Sequence, residues 1–136
     1  MSLSGRPLVG GEAKGEILVL GEPLSLWGGV DPQSGLIVDA HHPQRGISIS
    51  GRVLVMPGGR GSSSSSSVLA EMVRLGTAPI AILVADADLI VAIGAQVAQE
   101  LYGNAPPVVE IASRDLDELA DGDMVVVARD GTVQMA

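Results

Sequence analysis

Gly58-Gly59-Arg60-Gly61, followed by the six serines Ser62 to Ser67, is the part of this chain best equipped for chemistry. Upstream, Arg52-Val53-Leu54-Val55-Met56-Pro57 reads as a buried strand, and downstream residues 68–75 read as a helix stopped by Gly76. A strand, a glycine turn and a helix start aim backbone N–H groups and the positive end of a helix dipole at what lies between them, which is how proteins hold carboxylates and phosphates. A serine alkoxide beside such N–H groups and an arginine is electrostatically stabilised. It can accept a proton from carbon, provided that something else, such as a metal, has acidified the substrate. A serine run is by composition alone a flexible linker. Here it joins two packed elements with Arg60 at the turn, so we read it as half of an anion-handling site. A Walker phosphate loop is excluded, because that motif needs Gly-Lys-Ser/Thr and the sole lysine is Lys14.

A second unusual region is Trp27-Gly28-Gly29-Val30-Asp31-Pro32, followed by Gly35, Asp39-Ala40-His41-His42-Pro43 and Gly46. It reads as a long structured loop interrupted by a short strand, of the kind that carries function, or as a turn-rich hairpin. Adjacent histidines point in different directions and no third ligand stands at a recognisable spacing, so no metal site is assigned to His41 and His42. Asp86 and Asp88 end a predicted strand, where Asp88 is read as the cap of the next helix. Asp115, Asp117, Glu118, Asp121 and Asp123 read as a solvated acidic face. Both histidines lie in one loop and no Gly-x-Ser-x-Gly elbow is present, which argues against a triad hydrolase.

These groups must be positioned by a core of unusual make-up. The 136 residues include no Phe, one Trp and one Tyr, so Val, Ile, Leu, Ala and Met must fill the interior. One domain over residues 1–136 is expected. The net charge of -8 argues against nucleic acid and anionic membrane surfaces as partners. No apolar run reaches the ~18 residues of a spanning helix, and the N-terminus lacks a signal-peptide core, so a cytoplasmic location is expected. With no cysteine, a thiolate-ligated cofactor would have to be carried by a partner.

Strands are predicted at residues 16–20, 36–39, 53–56, 80–84, 108–111, 124–128 and 132–134, with an Asp130-Gly131 hairpin turn between the last two. One helix starts in the serine run with Ser66 or Ser67 as cap, buries Leu69, Met72 and Val73, and stops at Gly76. Capping is the only role read for Ser65 and Ser66, at most about 1 kcal/mol each. A second helix runs from about Asp88 to Leu101 with Ile90, Ile93, Val97 and Leu101 at helical spacing and a stop at Gly103. Gly94 inside that helix points to close approach of a neighbouring backbone. A short acidic turn covers residues 113–119. The middle therefore reads β-α-β-α-β with parallel crossovers, and the whole as an α/β domain with a barrel-like sheet and helices on one side.

Gly59-Arg60-Gly61-Ser62-Ser63, the helix after it and Gly76-Thr77-Ala78-Pro79-Ile80-Ala81-Ile82, with Trp27-Gly28-Gly29-Val30-Asp31-Pro32 and His42-Pro43, resemble the small subunit, or swivel domain, of the aconitase X family. The resemblance spans residues 15–133. It implies a swivelling β/β/α domain that closes over a large subunit carrying an iron-sulfur cluster, with no cofactor in this chain. In the wider aconitase superfamily a Gly-Ser-Ser motif at a helix start supplies the base that removes the substrate proton. The resemblance therefore implies Ser62 as general base, with Gly61 and Ser63 as neighbouring anion ligands. The superfamily's arginine after Ser-Ser is replaced by Ser64, and Arg60, before the motif, is assigned the carboxylate.

The same resemblance implies a small anionic substrate, cis-3-hydroxy-L-proline or mevalonate 5-phosphate. Residues 95–109 look more like bacterial members, which favours hydroxyproline. Residues 58–63 and the loop of Trp27, Gly28, Gly29 and Asp31 are expected to meet on one face and contact the large subunit; the alternative is that Trp27 fills the core. Two other functions stay open: a non-catalytic module that binds an anion and a partner, and a phosphohistidine carrier, for which His41-His42 lacks the glycine-threonine context.

Overall fold

The computed structural model describes residues 2–57, 63–86 and 88–136. The elements are β1 (Ser2–Ser4), β2 (Arg6–Val9), β3 (Ala13–Val19), α1 (Leu26–Gly29), β4 (Val53–Met56), α2 (Ser65–Leu75), β5 (Ala81–Val84), α3 (Leu89–Tyr102), β6 (Val108–Glu110), α4 (Ser113–Leu116), β7 (Met124–Val127) and β8 (Thr132–Met135). The strand order is β1-β8-β7-β3-β4-β5-β6-β2, with β3 to β6 parallel and the other pairs antiparallel. Strand β3 belongs to both halves of the sheet: Ala13 to Glu16 pair with β7, and Ile17 to Val19 pair with β4.

Alternating side chains divide the core into two layers. Leu54, Met56, Ile82, Val84 and Val108 pack against α2 and α3 through Leu69, Met72, Val91 and Ala95. Val53, Val55, Leu83 and Val109 face the other way, into a cluster with Val125, Val127, Val133 and Leu3 of the antiparallel half, Leu116 of α4 and Leu119 just after it. The arrangement is thus two β-layers and one α-layer. Apolar burial on both faces is why β4 and β5 read as continuous runs of Val, Leu, Ile and Met.

The barrel-like closure predicted from sequence is partial. Edge strands β1 and β2 lie at opposite ends of the strand order, yet only Gly5 separates them in the chain. The Gly5 N–H donates to the Gly131 carbonyl at 3.1 Å, but no ladder joins the two strands. Gly131 has a φ of 92°, and a Cβ there would sit 2.5 Å from the Gly5 oxygen, so this contact needs glycine. The predicted hairpin turn is present: Asp130 accepts from the Thr132 N–H at 2.9 Å, a bond that holds its carboxyl below the usual aspartate range.

Several expectations need correction. β1 and β2 were not anticipated, and β3 begins at Ala13 rather than Glu16. Leu36 to Asp39 is no strand; it makes only the isolated bridges Val30 to Ile37 and Leu36 to Ser48. Helix α2 begins at Ser65 with Ser64 in the cap position, earlier than Ser66 or Ser67, because the N–H groups of Ser66 and Ser67 already close a turn onto the carbonyls of Ser63 and Ser64. It stops at Gly76 as read, with φ 78°, and Val73 is only half-buried.

Helix α3 is capped as expected, the Asp88 carboxylate accepting from the Val91 N–H at 3.1 Å. The residues noted at helical spacing are not the face that it buries. Ile93, Val97 and Leu101 are 52%, 40% and 64% exposed, whereas Val91, Ala92, Gly94, Ala95 and Ala98 are buried. The cause is the close crossing with α2, where only small side chains fit. A Cβ on Gly94 would fall 2.8 Å from the Ser66 oxygen and 3.0 Å from its Cα. The larger residues turn outward and, with Leu8 and Val9, line a groove of about 590 Å³.

Gly94→Ala should therefore destabilise the protein although alanine is the better helix former by about 1 kcal/mol. Overpacking against backbone atoms that cannot rotate away costs about 1–3 kcal/mol. Thermal unfolding followed by circular dichroism, with exposed Gln96→Ala as control, should show a lower Tm for Gly94→Ala alone. An unchanged or higher Tm would mean that the helices can separate freely.

Candidate functional site

Helices α2 and α3 follow β4 and β5, so both start at the carboxyl ends of parallel strands, the edge at which open α/β sheets bind ligands. The glycine-serine stretch follows Pro57 in sequence. Arg60, Gly61 and Ser62 lie outside the described residues. Ser63, read as an anion ligand, is exposed, and its carbonyl accepts from the Ser66 N–H at 3.3 Å and the Ser66 hydroxyl at 2.8 Å. Among the described serines, Ser63 and Ser64 precede the helix and Ser65 to Ser67 lie within it.

The Trp27 loop meets this first helical turn. Within α1, Trp27 (φ -72°, ψ 117°) and Gly28 (φ 78°, ψ -15°) have the dihedrals of a type II β-turn, which needs glycine at its second central position. Leu24 and Leu26 anchor the segment in the core, while Trp27 is 59% exposed. The Trp27 N–H donates to the Ser65 hydroxyl oxygen at 3.2 Å. Trp27 and Gly28 therefore stand exposed beside the start of α2, and the reading of Trp27 as a core residue is discarded. Gly29 is buried, and its carbonyl accepts from the N–H groups of Val38 and Asp39 at 2.9 and 3.3 Å. The Asp31 carboxylate serves its own turn, accepting from the Gln33 N–H and the Ser34 hydroxyl, both at 3.0 Å.

The two histidines part company. His42 is buried: its Nδ1 accepts from the Gln44 N–H at 3.1 Å, so Nε2 carries the proton and donates to the Glu22 carbonyl at 3.2 Å. Gln44 in turn bonds the Val19 carbonyl at 2.7 Å and the Gly21 N–H at 3.0 Å, tying the loop to the end of β3. With both ring nitrogens engaged, His42 is a structural pin, unsuited to phosphoryl transfer, and His41 alone is exposed. Among the described residues no group of three His, Cys, Asp or Glu could hold a metal ion, and no helix is long and apolar enough to cross a membrane.

The acidic run read as a solvated face has a structural share. The Asp121 carboxylate accepts from the Val19 N–H at 2.5 Å, and Asp123 accepts from the Ala120 N–H at 3.0 Å. Beside them, Leu20, Gly21, Met56, Pro57, Ala85 and Asp117 help to line a cavity of about 190 Å³. That is below the ~300 Å³ at which small-molecule pockets begin, so at this edge of the sheet the described residues form one wall and no enclosed pocket. Sequence reasoning missed Ser25, Gln44, Ser65 and Asp121. Each acts through a partner distant in the chain, and no sequence signal marked these roles.

Comparison with known proteins agrees with this architecture. The family described as the aconitase X swivel domain matches residues 2–135. A cis-3-hydroxy-L-proline dehydratase of Pseudomonas aeruginosa is 50% identical over 115 residues, covering 85% of this chain but 20% of that protein. The chain spans about a fifth of the length of the hydroxyproline dehydratases it matches. A phosphomevalonate dehydratase small subunit of Thermococcus onnurineus is 43% identical over 136 residues, covering 99% of this chain and 98% of that one. The crystal structure of Thermococcus kodakaraensis aconitase X, holo-form, superposes with a TM-score of 0.89 at 40% identity, covering 100% of this chain and 98% of that chain. A matching family pattern over nearly every residue, with the same fold, establishes that this chain belongs to the aconitase X swivel-domain family.

Proposed function

We propose that this chain is the small subunit of an aconitase-X-type dehydratase, a hydro-lyase active only with a large subunit. The observation that carries the proposal is the start of α2 at the carboxyl end of β4, directly after Gly61-Ser62-Ser63, with the exposed Trp27 turn hydrogen-bonded to its first turn. The resemblance assigns the proton-abstracting role to Ser62. Its alkoxide takes the proton from the carbon next to a substrate carboxylate, the hydroxyl leaves from the adjacent carbon, a C=C bond forms and water is the second product. Arg60, Gly61 and Ser63 would hold the anionic groups. The Lewis-acid chemistry that helps the hydroxyl leave would be supplied by an iron-sulfur cluster on the large subunit. This chain has no cysteine to ligate such a cluster.

Both dehydratase types named among the relatives act on 3-hydroxy acids, so one wall of this kind serves either. We favour cis-3-hydroxy-L-proline, supported by the 50% identity to the Pseudomonas enzyme. Mevalonate 5-phosphate is the second reading, supported by the 43% identity to the Thermococcus onnurineus small subunit.

The isolated chain should show no dehydratase activity towards either compound, and mixing with the cognate large subunit should restore it. Turnover by the pure small chain would refute this division of labour. Ser62→Ala should abolish turnover of the assembled enzyme without weakening assembly, read by product formation and by size-exclusion chromatography. Near-normal turnover would show that the base lies elsewhere. Trp27, as the sole tryptophan, reports on its own loop. Its emission should be red, as for a solvated indole, in the free chain and shift to the blue on adding the large subunit; emission unmoved by saturating partner would remove Trp27 from the interface.

A further inference from the structure

Sequence alone treats Ser65 as one of several interchangeable capping hydroxyls. Its surroundings set it apart: Ser63, Ser64 and Ser67 are exposed, whereas Ser65 is 4% exposed. Three hydrogen bonds form a ring around it. The Ser25 hydroxyl gives its single hydrogen to the Trp27 carbonyl at 3.1 Å, and the Trp27 N–H donates to Ser65 Oγ at 3.2 Å. In the remaining contact, 3.4 Å between the two hydroxyl oxygens, Ser65 must therefore be the donor. Each hydroxyl donates once and accepts once, and both backbone polar groups of Trp27 are satisfied.

Among the described residues, little else fixes the turn at its tip. Apart from its neighbours in the chain, none of them has an atom within 4 Å of where a Cβ on Gly28 would stand, and most of the Trp27 side chain is exposed. We infer that Ser65 is a positioning residue that fixes the Trp27 turn to the first turn of α2, so that the indole and the serine stretch are presented to the large subunit as one surface. The inference rests on the proposed function in taking this face as the partner contact.

Amide hydrogen exchange of the full chain, read residue by residue, tests the ring itself. Ser65→Ala should speed exchange at Trp27 about tenfold, the effect of losing one net hydrogen bond, and leave Leu54 and Ile82 in the core strands unchanged. Ser67→Ala should change neither, and Ser65→Thr, which keeps the hydroxyl, should restore slow exchange at Trp27. If Ser65→Ala loosens the core as well, Ser25→Ala must reproduce the selective loosening of Trp27, since it breaks the same ring outside the helix. Unchanged exchange at Trp27 overturns the inference whatever the protein does.

Association with the large subunit then tests the consequence. Trp27→Ala and Ser65→Ala should each weaken it, with kcat of the saturated complex within about twofold of wild type. If Trp27→Ala weakens association and Ser65→Ala does not, the positioning role is wrong although the face is right. If Trp27→Ala is itself silent, the reading of the face fails and the inference falls with it.

Discussion

Val53, Leu54, Val55 and Met56 send alternate side chains to opposite faces of the sheet, and both faces are dry. The same holds for Ala81 to Val84 in the neighbouring strand. A chain with no phenylalanine must fill both layers with short aliphatic groups, and such layers pack only if the elements covering them come close. That requirement chooses the face of α3: its alanines, Gly94 and Val91 go inward, and Leu89, Ile93, Val97 and Leu101 go outward. A helix of this composition is oriented by the space left for it, not by where its largest hydrophobic residues stand.

The first turn of α2 is consequently pinned from two sides. Gly94 abuts the backbone of Ser66, and one residue earlier Ser65 carries the Trp27 turn. The serine stretch therefore enters a helix whose position is set by core packing on one flank and by the hydrogen-bond ring of the buried Ser65 on the other. Holding a helix start on both flanks in this way is economical in entropy: the scaffold, rather than the turn's own neighbours in sequence, supplies the ordering.

Much of this was legible in the residues. The β-α-β-α-β centre follows from apolar runs bounded by Gly, Pro and Asp, and the ends of both helices were marked by Asp88, Gly76 and Gly103. The close approach at Gly94 followed from the cost of glycine inside a helix. What could not be read depends on partners far away in the chain. Strands β1 and β2 are edge segments with a single buried side chain each, Leu3 and Val9, too little for an alternating pattern. Residues 36–39 carry strand-forming side chains but pair only through isolated bridges. Hydropathy reported which residues of α3 are apolar but not which of them would be covered, and nothing about Ser65 alone reveals Ser25, 40 positions away.

The pairing of β1 with β8 also determines how this unit can be wired into larger proteins. The strands are antiparallel, with Ser2 opposite Gln134, so the polypeptide enters and leaves the fold at one place on the antiparallel edge. Joining the two ends by a short linker and opening a surface turn elsewhere would give a permuted chain with every ladder intact. By the same geometry a long polypeptide attached at either end departs from the same corner, so gene fusion and gene splitting can alternate in evolution without rebuilding the sheet.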